Sequence, residues 1–240
     1  MTKLEAGIAV VTGATGGVGG AIADRLIAAG MTVCVTGRSQ KSLDNVVAER
    51  AWGSRVEGYP VDLAEEDAVR GFCEWIQQRH SSVHVLVHSA GTIAMGPLAQ
   101  GRLEDFDRQY QINVRAPYQL TQALLPQMTP CQGQVVFINS SAELNAREGV
   151  AQYAATKHAS KAVADSFRAE VNAKGVRVLS VFLGRTASRM QAAVHAWEQQ
   201  PYRPERLLQP EDIASVVMNA LQLPRTAEVT DIHIRPMLKS

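Results

Sequence analysis

Short β-branched runs, apolar almost throughout, alternate with longer helical stretches along the whole chain, and that alternation restricts the fold more than any other feature. Residues 8–12, 32–36, 56–61, 83–88, 134–139, 176–182 and 231–235 read as strands. Strands covered on both faces lose the apolar–polar alternation of half-exposed ones, so runs of this kind belong in a parallel sheet packed between helices. Residues 17–29, 41–51, 65–78, 103–128, 150–173 and 210–221 read as the helices, and Gly30 and Gly175 stand where a left-handed residue would end one. A right-handed crossover in each strand–helix–strand unit gives an α/β fold: a doubly wound, Rossmann-like parallel sheet of about seven strands with helices on both faces. Residues 1–240 are expected to form a single dinucleotide-binding and catalytic domain, since no repeat, low-complexity tract or linker interrupts the pattern. Only residues 184–204 loosen it. With Met190, His195 and Trp197, that stretch fits either a substrate lid or an ordinary surface helix.

Composition narrows the function classes. The formal net charge of +1 offers no basic surface for nucleic acid and no polybasic patch for a membrane. No apolar run approaches the roughly 20 residues that span a bilayer, and the opening residues are too short and polar for a secretory signal. Cys34, Cys73 and Cys131 are odd in number, far apart and without a Cys-x-x-Cys pair. Neither a disulfide framework nor a metal site is expected from them, and a cytoplasmic location fits.

The first strand runs through Thr12-Gly13-Ala14-Thr15-Gly16-Gly17-Val18-Gly19-Gly20 directly into a helix. Glycines there let the backbone turn sharply and approach a pyrophosphate, while the helix N-terminus offers free N–H groups and a positive dipole end. No Gly-Lys-Ser/Thr follows, which argues against a nucleoside triphosphatase. The second strand distinguishes the dinucleotides. A carboxylate about 20 residues past the glycines grips the ribose of NAD, but this segment reads Val35-Thr36-Gly37-Arg38-Ser39. Arg38 is placed to pair with a 2′-phosphate, so NADP(H) is expected in preference to NAD(H). Asp62, beside Leu63 after the third strand, either faces the adenine or caps the next helix.

Tyr153 and Lys157 are four residues apart in a strongly helical segment, and so share one helix face. A phenol titrates near pH ~10, about 4 kcal/mol from easy proton exchange at neutral pH. A unit charge about 4 Å away supplies that much at an effective dielectric near 20, so Lys157 is expected to activate Tyr153 as a general acid or base. A carbonyl oxygen gaining charge during hydride transfer needs a second donor. The fifth strand ends in Ile138-Asn139-Ser140-Ser141, at the edge where ligands bind in such sheets, and a serine there can donate.

Together these residues resemble the single-domain short-chain dehydrogenase/reductases over essentially the whole chain. Thr12-Gly13-x-x-x-Gly17-x-Gly19 is similar to that family's cofactor turn, Tyr153-x-x-x-Lys157 to its active-site pair, and Asn113 in Ile112-Asn113-Val114 to its helix asparagine. The resemblance implies that Asn113 holds a water relaying protons from Lys157. It favours Ser140, 13 residues before Tyr153, as the catalytic serine, with Ser141 the match if the Ser-Ser pair alone is aligned. It implies cofactor contacts by Gly13, Thr15, Gly16, Gly17, Val18, Gly19, Arg38, Ser39, Asp62, Leu63, Ser89, Ala90, Gly91, Tyr153 and Lys157. Leu183-Gly184-Arg185-Thr186 resembles the family's Pro-Gly segment, so Gly184 and Thr186 or Ser188 are expected at the nicotinamide carboxamide.

The chain departs from the family pattern at three places. His88-Ser89-Ala90-Gly91 stands for Asn-Asn-Ala-Gly, Leu183 for the proline, and Glu143 for a frequent glycine, putting a carboxylate near the substrate mouth or out in water. The activity implied is NADP(H)-dependent interconversion of a ketone, aldehyde or 3-oxoacyl group with an alcohol. The alternative is a non-catalytic NADP(H) sensor or scaffold on the same fold. A homodimer or homotetramer is implied, paired through the helices of residues 103–128 and 150–173.

Overall fold

A computed structural model describes residues 4, 6–143 and 146–238 of the chain. Among the described residues there are seven strands: β1 Ile8–Thr12, β2 Thr32–Gly37, β3 Val56–Pro60, β4 Val85–His88, β5 Gln134–Ser140, β6 Arg177–Leu183 and β7 Asp231–Ile234. They form one sheet in the order β3-β2-β1-β4-β5-β6-β7, with every pairing parallel. The order reverses between β1 and β4, which opens a crevice at the carboxyl edge of the sheet. The expected doubly wound α/β architecture is the one observed.

The apolar strands divide their side chains between two cores. From β1, Ala9 and Val11 enter one core and Val10 the other. The first core packs under α1 (Gly17–Ala28), α2 (Gln40–Glu49) and α8 (Pro210–Leu221), through Ile22, Leu26, Leu43, Ile213 and Val217. The second packs under α3 (Glu66–Arg79), α5 (Ala116–Met128) and α6 (Ala151–Val171), through Phe72, Ile76, Leu120, Leu124 and Ala164. The end of α1 is fixed as expected. Gly30 adopts φ +93°, its N–H bonds Ile27 O, and Met31 N bonds Leu26 O, the paired closure of a Schellman motif. Gly175 is left-handed after α6 in the same way.

The helix expected over residues 103–128 is interrupted. α4 (Leu103–Tyr110) passes into a π-helical turn at Gln111–Arg115 before α5 begins. A wider turn of this kind inserts a residue into the helical ladder, and such insertions occur mostly at functional sites. Residues 184–204, open between lid and helix, contain α7 (Arg189–Trp197). Arg185 forms a two-pronged ion pair with Glu198 at 2.7 and 2.9 Å, tying both ends of that segment together. Gly149 is left-handed (φ +77°), and a Cβ there would meet the Trp197 ring at 2.5 Å, so α7 packs directly onto the loop preceding α6. Among the described residues, no helix is long and apolar enough to cross a membrane.

Candidate active site

The carboxyl edge of the sheet gathers the residues singled out above. Gly13 adopts φ +72°, and a Cβ there would lie 2.7 Å from the Ala90 backbone. At Gly19 a Cβ would lie 2.5 Å from Gly13 O. Both contacts require glycine, so the loop folds back on itself and against the segment after β4. Thr12 fixes that apposition. Its hydroxyl donates to Val87 O and accepts from the N–H groups of Ser89 and Ala90. Gly16 is the N-cap of α1, with no side chain capping the helix, so first-turn N–H groups are left for a ligand. Gly17 faces Pro210 and Ala187, placing the loop beside the segment after β6. This open cradle fits a pyrophosphate flanked by the two nucleoside halves of a dinucleotide.

On the β2 side, Arg38 and Ser39 are exposed. The Ser39 hydroxyl accepts from Ser42 N and caps α2, a local role the sequence reading did not assign. Asp62 does not cap α3, whose N-cap is Glu65. Its carboxylate accepts from Ala64 N and is paired at 3.0 Å with Arg108 of α4. Partial burial pushes that carboxyl up, but the Ala64 N–H, Arg108 and Arg38 together hold it below its usual range.

The catalytic candidates also converge. The Asn113 side chain, in the π turn, bonds Thr92 N, Thr92 O and the Thr156 hydroxyl at 2.9 to 3.0 Å. A Cβ on Gly91 would stand 3.4 Å from Asn113 Oδ1 and 4.0 Å from Lys157 Nζ, so glycine leaves room where these groups meet. Ser140 is the one of the two adjacent serines that faces Tyr153. Its hydroxyl hydrogen-bonds the Tyr153 phenol, while Ser141 begins an exposed turn. Lys157, only 6% exposed, donates to Ile138 O at 3.2 Å.

Lys157 Nζ sits 5.7 Å from the Tyr153 ring centroid. Burial pushes the Tyr153 phenol up, against a downward pull from the Ser140 hydroxyl. Burial likewise pushes Lys157 down to about 8. Both groups lie in the same water-poor cleft, and desolvation favours the neutral form of each. At the end of β6, Gly184 packs on Pro236, the Thr186 hydroxyl donates to Gly184 O, and Ser188 caps α7 while donating to Thr186 O. The hydroxyl of Ser188 is thus occupied locally. The Glu143 side chain lies outside the described residues.

A family model described as short chain dehydrogenase matches residues 7–199. The chain belongs to the short-chain dehydrogenase family. It is 29% identical over 238 residues to an uncharacterized oxidoreductase of Staphylococcus aureus, covering 99% of this chain and 100% of that one. Among solved structures it is similar to a metagenomic short-chain oxidoreductase in complex with NADP, at 30% identity and a TM-score of 0.84 over 99% of this chain and 100% of that one. It is also similar to a putative NAD(P)-dependent gluconate 5-dehydrogenase from Beutenbergia cavernae with bound NADP, at 28% identity and a TM-score of 0.85 over 96% of each chain.

As a short-chain dehydrogenase the chain is an oxidoreductase, and its site contains residues the sequence reading passed over. Thr12 enters the sequence pattern only as the start of the glycine turn, and Thr156 lies inside the Tyr153–Lys157 interval without a pattern of its own. Gln109 is buried, accepts from Ala94 N and donates to Gln152 and to Asp105 O. It braces the loop after β4 against α6. Nothing in the periodicity around residue 109 distinguishes that glutamine from a solvated one.

Proposed function

We propose that this dehydrogenase reduces a ketone, aldehyde or 3-oxoacyl group with NADPH, or runs the reverse oxidation, on a single domain comprising the whole chain. The observation that carries the reading is the Ser140–Tyr153 hydrogen bond at the carboxyl edge of the sheet, beside the glycine cradle. The bound nicotinamide supplies or accepts the hydride. Gly13, Thr15, Gly16, Gly17, Val18 and Gly19 would hold the pyrophosphate. Asp62, Leu63, Ser89, Ala90 and Gly91 would line the dinucleotide, and Gly184, Thr186 and Ser188 the carboxamide end.

In the reductive direction Ser140 orients the substrate oxygen and Tyr153 donates its proton to it. A phenol whose pKa burial has raised stays protonated at neutral pH, as that role requires. Lys157 and Asn113 act behind Tyr153, the lysine holding a ribose hydroxyl and returning protons to the phenol. Arg38 is exposed at the end of β2 with Ser39 beside it, which supports pairing with a 2′-phosphate and a preference for NADP(H) over NAD(H). NADPH oxidation with a panel of ketones tests the mechanism. Tyr153→Phe is expected to lose at least about 100-fold in turnover, the typical contribution of general acid–base catalysis, while still binding NADPH. In fluorescence titrations Arg38→Ala should weaken NADPH and spare NADH; equal affinities throughout would remove the phosphate-pairing role. A dead wild-type panel with intact NADPH binding would favour a sensor protein instead.

The chain is expected to act in the cytoplasm as a homodimer or homotetramer. Exposed Leu103, Tyr110 and Tyr118 along α4 and α5 support pairing of those helices across subunits.

A further inference from the structure

The only clustered metal-ligand donors among the described residues lie away from the carboxyl edge, at the outer side of the sheet. Cys34 on β2 and Glu57 on β3 are register partners, so both project from the same face of the sheet. His80, following the last turn of α3, meets them there, held by an N–H bond to Ile76 O and by Gln127, which donates to His80 O. Cys34 Sγ is 3.4 Å from His80 Nε2, the same nitrogen is 3.4 Å from Glu57 Oε2, and the three ligand atoms lie within 4.8 Å of one another. Tetrahedral zinc, with bonds of about 2.3 Å to sulfur and about 2.1 Å to nitrogen and oxygen, sets these separations near 3.6 and 3.4 Å.

We infer that Cys34, Glu57 and His80 form a binding site for zinc, with the fourth position open toward solvent on the side of Glu57. One thiolate, one imidazole and one carboxylate are a donor set suited to this borderline-soft ion. Cys34 is fully buried, whereas the Glu57 side chain is about one-third exposed and can swing to close the set. Arg79, half-exposed, is the other charged group at the site, 3.9 Å from the same Glu57 oxygen and stacked over Trp75. On binding, the Cys34 S–H bond breaks, a Zn–S bond forms and the proton passes to solvent, with no change of oxidation state. The bound ion would tie β2, the edge strand β3 and the end of α3 together.

The full-length protein, stripped with chelator and titrated with cobalt(II), tests the assignment. A thiolate-to-cobalt charge-transfer band that zinc abolishes, together with a zinc-dependent rise in Tm, is expected. The band should vanish in Cys34→Ser and persist in Cys131→Ser. In Glu57→Gln and His80→Gln, zinc should bind more than about tenfold more weakly, since even outer-shell changes reach that scale; these two variants keep the test available if Cys34→Ser does not fold. Absence of the band in the wild type, which would leave a hydrogen-bonded trio without metal, overturns the assignment. So does a band lost with Cys131 rather than Cys34.

Discussion

The imidazole of His88 ends β4 with Nε2 bonded to the Thr121 hydroxyl at 2.8 Å, its ring tilted on Phe137 and its Nδ1 enclosed without a partner. Burial pushes its pKa down to about 3, so the ring stays neutral in the folded protein across ordinary pH. In the unfolded chain a histidine takes up a proton near pH 6.5. The stabilising contribution of a neutral His88 is therefore complete above about 6.5 and is lost as pH falls toward 3, by up to about 5 kcal/mol. Comparing wild type with His88→Asn by chemical denaturation between pH 7 and 4 should show the wild type losing stability faster. Parallel curves would mean the ring finds a partner or water on protonation. The same desolvation acts on Lys157.

At the scale of the element, the π turn between α4 and α5 decides the shape of the site. It points Asn113 inward, where its amide satisfies both backbone groups of Thr92 and the Thr156 hydroxyl. Asn113→Ala would leave both backbone groups of Thr92 without that partner, at about 1–3 kcal/mol for each group left unsatisfied, while the Thr156 hydroxyl keeps its bond to Tyr153 O. A lowered denaturation midpoint, accompanied by reduced turnover, is expected; an unchanged midpoint would show that the π turn holds Thr92 by other means. The glycine turn, the helix ends and the Tyr153–Lys157 pair are local, and their spacing alone made them readable. A π turn is not local in that sense. Residues 103–128 look uniformly helical because the inserted residue changes the backbone ladder without disturbing the apolar pattern.

For the whole molecule, the exposed apolar side chains Leu103, Tyr110 and Tyr118 on the α4–α5 rod argue for association through it. Sedimentation velocity should find a dimer or tetramer, and Tyr118→Glu should shift it toward monomer, because a charge placed in an apolar contact carries a desolvation penalty. A monomeric wild type would refute the pairing. Fold class was legible from order and spacing, since parallel strands and the loops at their carboxyl ends follow one another along the chain; the strand order was not, because it depends on which strands pair.

The alternating elements, the glycine cradle, the helix face shared by Tyr153 and Lys157, and membership of the family are all encoded locally along the chain. Those features depend on neighbours within a few residues, where periodicity and conformational preference act. Tertiary packing fixes which serine meets Tyr153, that burial pushes the phenol's pKa up, and that Cys34, Glu57 and His80 meet. Each of these is fixed by how separate segments pack and how much water they exclude, and neither quantity is written in the spacing of residues along one segment.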